Sequence, residues 1–350
     1  MSEPQATRPP PLRSLSGIKP TGMPHWGNYF GMIQPALRLA EEGTGLYFIA
    51  DYHALTTVRD AQRLRDDSYG IAATLLACGL DPKSTTLWRQ SDVPEVQELT
   101  WILSCVTGFG LIERAHAFKD ARANGRDVGF GLVAYPVLMA ADILMFDSDV
   151  VPVGKDQVQH LEFARDMAGY FNVQFLGSSC HDSEGAWDGR GLKFPKPVVQ
   201  KAGAVVPGLD GRKMSKSYDN HIPMFASKKD LKKRVMAIVT DSLALEEPKD
   251  PVGCTVYELY QLFASEAQVA EMAAKLRAGG YGYGHAKLDL LAAAEDTFGV
   301  LRSRYDAWMA DRDALEAVLQ EGALRARSIA APVMARVREA VGLPARPMGG

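Results

Sequence analysis

The run Leu46-Tyr47-Phe48-Ile49-Ala50 is apolar without a break. A strand with one wet face alternates, so an unbroken run predicts a strand buried on both faces of a parallel sheet. Residues 14–19, Thr85 to Trp88 and Val150 to Val153 read as three more strands. Between and after them the spacing predicts helices over about Gly27 to Glu42, 60–79, Pro136 to Met145 and Gln157 to Tyr170. Another helix opens at Pro94, since a first turn loses nothing by lacking an N–H. Pro35 lies inside its helical stretch and predicts a kink. Strands alternating with helices imply βαβ units.

The fold class is therefore α/β, a Rossmann-like doubly wound parallel sheet. Such sheets bind ligands beyond the carboxyl ends of their strands. The residues placed there are Lys19 to Asn28, Asp51 to His53 and Gly154 to Gln157. From about Ser227 to Leu343 the pattern turns helical, interrupted by the glycine-rich run 279–284. A second, all-helical C-terminal domain is expected there. The division is then a flexible, proline-bearing tail at 1–11, a first domain at 12–225 and a helical domain at 226–350.

Composition narrows the class without choosing a function. With 350 residues, 47% of them hydrophobic and 23% charged, the chain can bury a full core. No run has the length of a membrane span. Residues 1–11 lack the apolar core of a secretory signal. The four cysteines, Cys78, Cys105, Cys180 and Cys254, show no metal or redox spacing. Cys78 and Cys105 read as small core residues, and a cytoplasmic setting follows as the default. A net charge of −3 argues against blanket nucleic-acid binding, DNA included, but allows a local basic patch. Lys228, Lys229, Lys232, Lys233 and Arg234 form such a cluster, or else a solvated helix face.

Two loops carry the candidate chemistry. In Thr21-Gly22-Met23-Pro24-His25-Trp26-Gly27-Asn28, a strand gives way to a helix N-terminus, whose free N–H groups attract phosphate. Gly27 lets a nucleotide approach the backbone, and His25 and Asn28 can donate to phosphate oxygens. By itself this is a weak signal, since a histidine near a glycine is usually a turn residue. The second loop is Lys213-Met214-Ser215-Lys216-Ser217, two lysines three apart in a polar loop after Gly211. Lysine is a compact charge on a flexible stem, suited to follow charge developing on a leaving pyrophosphate. The alternative is an exposed basic loop, but the string is rare and the pair of loops is a strong signal.

The two loops resemble the signature motifs of class I aminoacyl-tRNA synthetases. More closely, the chain from about Leu15 to Leu343 resembles bacterial tryptophanyl-tRNA synthetases. The resemblance is carried by SGIKPTG (16–22), GNYFG (27–31), DYHALT (51–56), YPVLMAADIL (135–144), VPVGKDQVQH (151–160), KMSKS (213–217), TDS (240–242) and GYGHAK (282–287). It implies activation of L-tryptophan by ATP and transfer to tRNA(Trp), with Mg2+ accompanying the phosphates and no dedicated metal ligands. By the same resemblance His25, Asn28, Lys213 and Lys216 are catalytic. Lys19, Gly27, Asn28, Gly154, Asp156, Lys213, Met214, Ser215 and Lys216 contact ATP. Asp142 accepts the indole N–H and Met139 packs on the ring. Leu15, Ile143, Val151 and Val153 line the pocket, and Tyr135, Gln157 and His53 attend the head group.

Indole has one donor and no acceptor, so its pocket needs one buried acceptor in an apolar wall. Met139 and Asp142, three apart on a helix, share a face. Tyrosyl-tRNA synthetases typically carry glutamine where Met139 stands, so Met139 favours tryptophan. Lys19, His25 and Lys155 depart from the common bacterial pattern, as do Ala121 and Arg122 after Phe118-Lys119-Asp120. These departures resemble auxiliary copies that tolerate tryptophan-like inhibitors, with Lys19 and His25 partly replacing a missing cation. Other readings are a small-molecule nucleotidylyltransferase and a regulatory, tRNA-binding paralogue. The resemblance also implies a homodimer. The apolar stretch Trp101 to Val106 is either part of that interface or core. Arg325, Arg327, Arg336 and Arg338 are candidate tRNA phosphate contacts, with the 228–234 cluster.

Overall fold

The computed structural model describes residues 12–41, 43–115, 118–119, 125, 128–154, 158–199 and 205–345. Strand β1 (Arg13–Ile18) leads to a short helix α1 (Trp26–Asn28), a π-helical turn (Tyr29–Ile33) and α2 (Gln34–Glu41). The kink expected from Pro35 is this π turn. It closes through Gln34 N–H to the Tyr29 carbonyl and leaves Pro35 in the first turn of α2, where it lacks nothing.

Strand β2 (Thr44–Ile49), helices α3 (Asp51–Ala54) and α4 (Ala61–Ala77), and strand β3 (Thr86–Arg89) follow. Asp60 caps α4 by accepting from the Arg63 N–H at 2.9 Å. Next come α5 (Glu95–Val106), α6 (Phe109–Ile112), α7 (Phe130–Leu144), β4 (Val150–Val153), α8 (Val158–Leu176) and β5 (Lys196–Val199). Helix α7 begins six residues before Pro136, where the sequence reading started it. The helix carries the proline inside because the apolar residues around it, Val137, Ala140, Ala141 and Leu144, hold it by packing.

All four strand pairings are parallel, in the order β3-β2-β1-β4-β5. Chain order runs outward in opposite directions from β1 and β4, so the switch point lies between them. Two apolar layers cover the sheet. One joins Leu15, Phe48, Trp88 and Val151 to α5, α7 and α8. The other joins Ile18, Tyr47, Ile49 and Leu87 to α4 and the helices that follow.

Those helices are α9 (Lys228–Met236), α10 (Thr255–Tyr260), α11 (Glu266–Ala278), α12 (Tyr283–Ala310) and α13 (Arg312–Ala340). The second half is helical, as expected, with the glycine run separating α11 from α12. Helix α13 reaches back along the sheet: Leu315 and Leu319 enter one apolar layer, Ala326 to Val337 the other. It passes so close to β3 that a Cβ on Gly322 would lie 1.8 Å from the Leu87 carbonyl oxygen.

The arginines of α13 correct one expectation. Arg327 pairs with Glu95 at 3.1 Å, Arg338 with Glu98, and Arg336 with Asp147 and the Gly191 carbonyl. Arg325 donates to the Pro82 and Lys83 carbonyls. These four side chains tie α13 to the first half of the chain, so they are not free phosphate contacts. Cys105 is also exposed rather than in the core, while Cys180 is buried.

Candidate active site

The loop after β1 is held by its own polar groups. His25 is the N-cap of α1: its Nδ1 accepts from the Asn28 N–H at 3.3 Å, and the Asn28 side-chain oxygen accepts from the His25 N–H at 3.0 Å. A ring nitrogen that accepts carries no proton, so the neutral imidazole holds its proton on Nε2. Burial, then the charges of Lys216 and His221, lower the His25 pKa to about 4. The loop therefore offers a neutral N–H donor at His25 and, with its oxygen committed, the amide nitrogen of Asn28.

Gly27 does more than leave room for a ligand. Its N–H points at the Met214 sulfur at 3.4 Å, and a Cβ there would meet the His25 ring at 3.0 Å. Met214, expected among the ATP contacts, is 3% exposed and buries its side chain in the core. It pins the lysine loop onto the His25 turn. The segment after the lysine loop is antiparallel to this turn: Trp26 N–H bonds to the Ile222 carbonyl, and Met224 N–H to the Pro24 carbonyl.

Lys216 Nζ donates to the carbonyls of Thr21 and Gly22, at 2.9 and 3.0 Å. Burial lowers its pKa, and Asp67 counteracts this. Ser215 caps the short turn after it, accepting from the Ser217 N–H. Lys213 is exposed. Sequence reasoning missed Asn220, which is buried and shapes this loop: it accepts from Ser215 N–H and donates to Lys213 O and Asp210. Lys19 is half-buried, with Nζ donating to Thr56 Oγ1 at 3.1 Å and its pKa lowered by burial.

A second group of residues sits on α7 and the strand ends. Asp142 is 2% exposed, and burial raises its pKa against the opposing pull of His53 and Gln90. Its Oδ2 lies 2.9 Å from His53 Nε2. Leu15, Ile143 and Val151 are buried nearby in the same apolar layer, with Met139, Tyr135 and Val153 packed against it. The Tyr135 hydroxyl is 3.3 Å from His160 Nε2. Gly154 is exposed at the end of β4. Lys155, Asp156, Gln157, Asp120, Ala121 and Arg122 lie outside the described residues. Gln90, which no motif flagged, contacts Asp142 directly. Its position just past the carboxyl end of β3 was the available signal.

The remaining motifs hold the helical half together. Asp241 accepts from the Tyr283 hydroxyl at 2.7 Å, and Lys287 donates to the Met236 carbonyl at 3.0 Å. Lys228, Lys229, Lys232 and Lys233 are exposed on α9, whereas Arg234 is paired with Asp219.

A sheet of this order, with a capped histidine turn at the switch point and a lysine loop folded over it, is the architecture of the class I aminoacyl-tRNA synthetases. Comparison with known families narrows this: the family described as "tRNA synthetases class I (W and Y)" matches residues 7–299, and the chain belongs to it. It is 50% identical to the tryptophan–tRNA ligase of Rhodopirellula baltica over 332 residues, 95% of this chain and all (100%) of that protein. It is 48% identical to that of Fusobacterium nucleatum, over 95% of this chain and 98% of the relative. The crystal structure of Campylobacter jejuni tryptophanyl-tRNA synthetase complexed with ADP and tryptophan superposes with a TM-score of 0.87. It is 43% identical, covering 95% of this chain and 100% of that one.

Proposed function

We propose that this chain activates L-tryptophan with ATP and transfers it to tRNA(Trp). The observation that carries the reading is Asp142: a buried carboxylate, set among apolar side chains, on the helix that leads into β4. One buried acceptor in an apolar wall matches the single donor of indole.

In the first step a tryptophan carboxylate oxygen attacks the α-phosphorus of ATP. The bond to the bridging oxygen breaks, and pyrophosphate leaves with its electron pair. Mg2+ enters with the nucleotide as part of the substrate. His25 Nε2 and the Asn28 amide donate to phosphate oxygens. Lys213 and Lys216 neutralise charge growing on the pyrophosphate, which requires Lys216 to release the Thr21 and Gly22 carbonyls. Lys19, Gly154, Asp156, Ser215 and the Met214-pinned backbone complete the nucleotide site. In the second step a ribose hydroxyl of the tRNA terminus attacks the aminoacyl carbonyl, loses its proton, and AMP departs. No protein nucleophile is needed, because positioning and charge stabilisation supply the rate.

The helical half, 226–350, binds the tRNA anticodon region in this reading, with the exposed lysines of α9 meeting phosphates. The chain acts in the cytoplasm, and among the described residues no helix is long and apolar enough to cross a membrane. A homodimer accounts for the exposed apolar side chains Trp101, Phe109, Phe130, Tyr170 and Val173. The deciding measurement is ATP–pyrophosphate exchange with each of the twenty amino acids. Tryptophan should stimulate it best, and stimulation by tyrosine or by none would overturn the reading.

A further inference from the structure

Gln90 is 1% exposed, and both ends of its side chain are engaged. Its Oε1 accepts from the backbone N–H groups of Tyr52 and His53, at 3.1 and 3.4 Å. Its Nε2 donates to Asp142 Oδ1 and Oδ2, each at 2.8 Å. The amide cannot flip, because flipping would set its oxygen against a carboxylate and its NH2 against two N–H donors. The neighbours in sequence are fixed as well. Arg89 grips Glu316 through both terminal nitrogens, and Ser91 N–H donates to Asp51 at 3.0 Å. Gln90 therefore sits on a turn that cannot drift.

An ionised carboxylate has about four acceptor sites, two on each oxygen. Gln90 Nε2 lies equally close to both oxygens and shares one N–H between them, taking the inner site of each, and His53 takes the other site on Oδ2. One site is left, on Oδ1. The Gln90 amide carries no proton to gain or lose, so its NH2 always donates.

We propose that Gln90 is the positioning residue of the amino-acid pocket: it orients the Asp142 carboxylate and, with His53, occupies all but one of its acceptor sites, the last being left for the indole N–H. This rests on the tryptophan reading of the pocket. Selectivity then comes from a fixed count of acceptors as well as from pocket shape. A ligand without the N–H leaves the last acceptor site of a buried carboxylate unfilled, which costs free energy.

The test compares Gln90→Met, Gln90→Glu and Asp142→Ala with wild type in ATP–pyrophosphate exchange, using tryptophan and 1-methyltryptophan, which lacks the N–H. In Gln90→Met the KM for tryptophan should rise about tenfold or more, with the KM for ATP within about twofold, and the preference over 1-methyltryptophan should fall about tenfold. Gln90→Glu keeps both contacts to the α3 backbone but faces Asp142 with a second carboxylate. One of two such groups holds a proton more tightly, and that proton restores the missing donor. Its KM for tryptophan should therefore fall toward the wild-type value as pH is lowered, a response that a residue acting only through folding would not give.

The outcomes separate. If Asp142→Ala abolishes the discrimination while Gln90→Met retains it, or if Gln90→Glu and wild type share one pH profile, the Gln90 proposal is overturned. If Asp142→Ala itself keeps the discrimination, the tryptophan reading of the pocket falls first and the proposal falls with it.

Discussion

His25 and Asn28 cap one another, each accepting a hydrogen bond from the other's backbone N–H. The groups assigned to the phosphates are thus also the groups that hold their own loop in shape. Removing either side chain mixes a chemical loss with a local structural one.

His25→Asn separates the two, because asparagine is also a good N-cap. Pyrophosphate exchange should fall about 10²–10³-fold, the usual loss for one transition-state donor. The stability of the variant should also respond differently to acid. In the folded wild type the His25 pKa is lowered to about 4 from 6.5, so the unfolded chain binds the extra proton between those values. That stability is complete above pH 6.5 and is lost as pH falls through 4. Thermal melts should show a steeper acid loss for wild type than for His25→Asn, and superimposable slopes would disprove the buried neutral histidine.

Lys216 latches its loop to the Thr21 and Gly22 carbonyls. Lys216→Ala should lower the exchange rate about 10²–10³-fold, with the KM for tryptophan nearly unchanged. Without the latch, amide hydrogen exchange at 213–217 should quicken. Protection equal to wild type would show that Met214 and Asn220 alone hold the loop.

Gly322 and Gly284 should respond oppositely to alanine. Gly322→Ala drives a methyl into the Leu87 carbonyl and should destabilise on the order of 3 kcal/mol. Gly284 lies in the first turn of α12 with open space around it, and Gly284→Ala should stabilise by up to about 1 kcal/mol. Denaturant midpoints decide both.

The arginines of α13 and the lysines of α9 should divide stability from tRNA affinity. Arg338→Ala breaks the ion pair to Glu98 and should lower the unfolding midpoint while leaving the salt dependence of tRNA binding alone. Lys232→Ala and Lys233→Ala should weaken tRNA binding at every sequence tested. Each should reduce the slope of log affinity against log salt by about 1. The reverse pattern would move the tRNA surface elsewhere.

How far the sequence was legible depended on how a residue declares itself. β2 and β4 announce themselves as apolar runs, and the lysine loop by its rarity. β5 does not, because Pro195 and Pro197 flank and interrupt it; an edge strand tolerates the missing N–H, and β5 lies at the edge of the sheet. Gln90 and Asn220 stayed hidden because a buried amide has no spacing rule. Only the three-dimensional meeting with Asp142 or with the loop backbone reveals it. The α13 arginines declare themselves in the opposite way, since four cations on one helix look like a surface for phosphate until their carboxylate and carbonyl partners are placed.

The passage of Gly322 over Leu87 bears on how the chain can be divided. Helix α13 lies against the backbone of β3 and fills both apolar layers, so it works as part of the wall of the sheet-bearing half. A fragment ending at residue 225 would bare the outer strand, take Arg327, Arg336 and Arg338 away from Glu95, Asp147 and Glu98, and open both layers to water. The half that carries both candidate loops is, in folding terms, a guest of the half that does not.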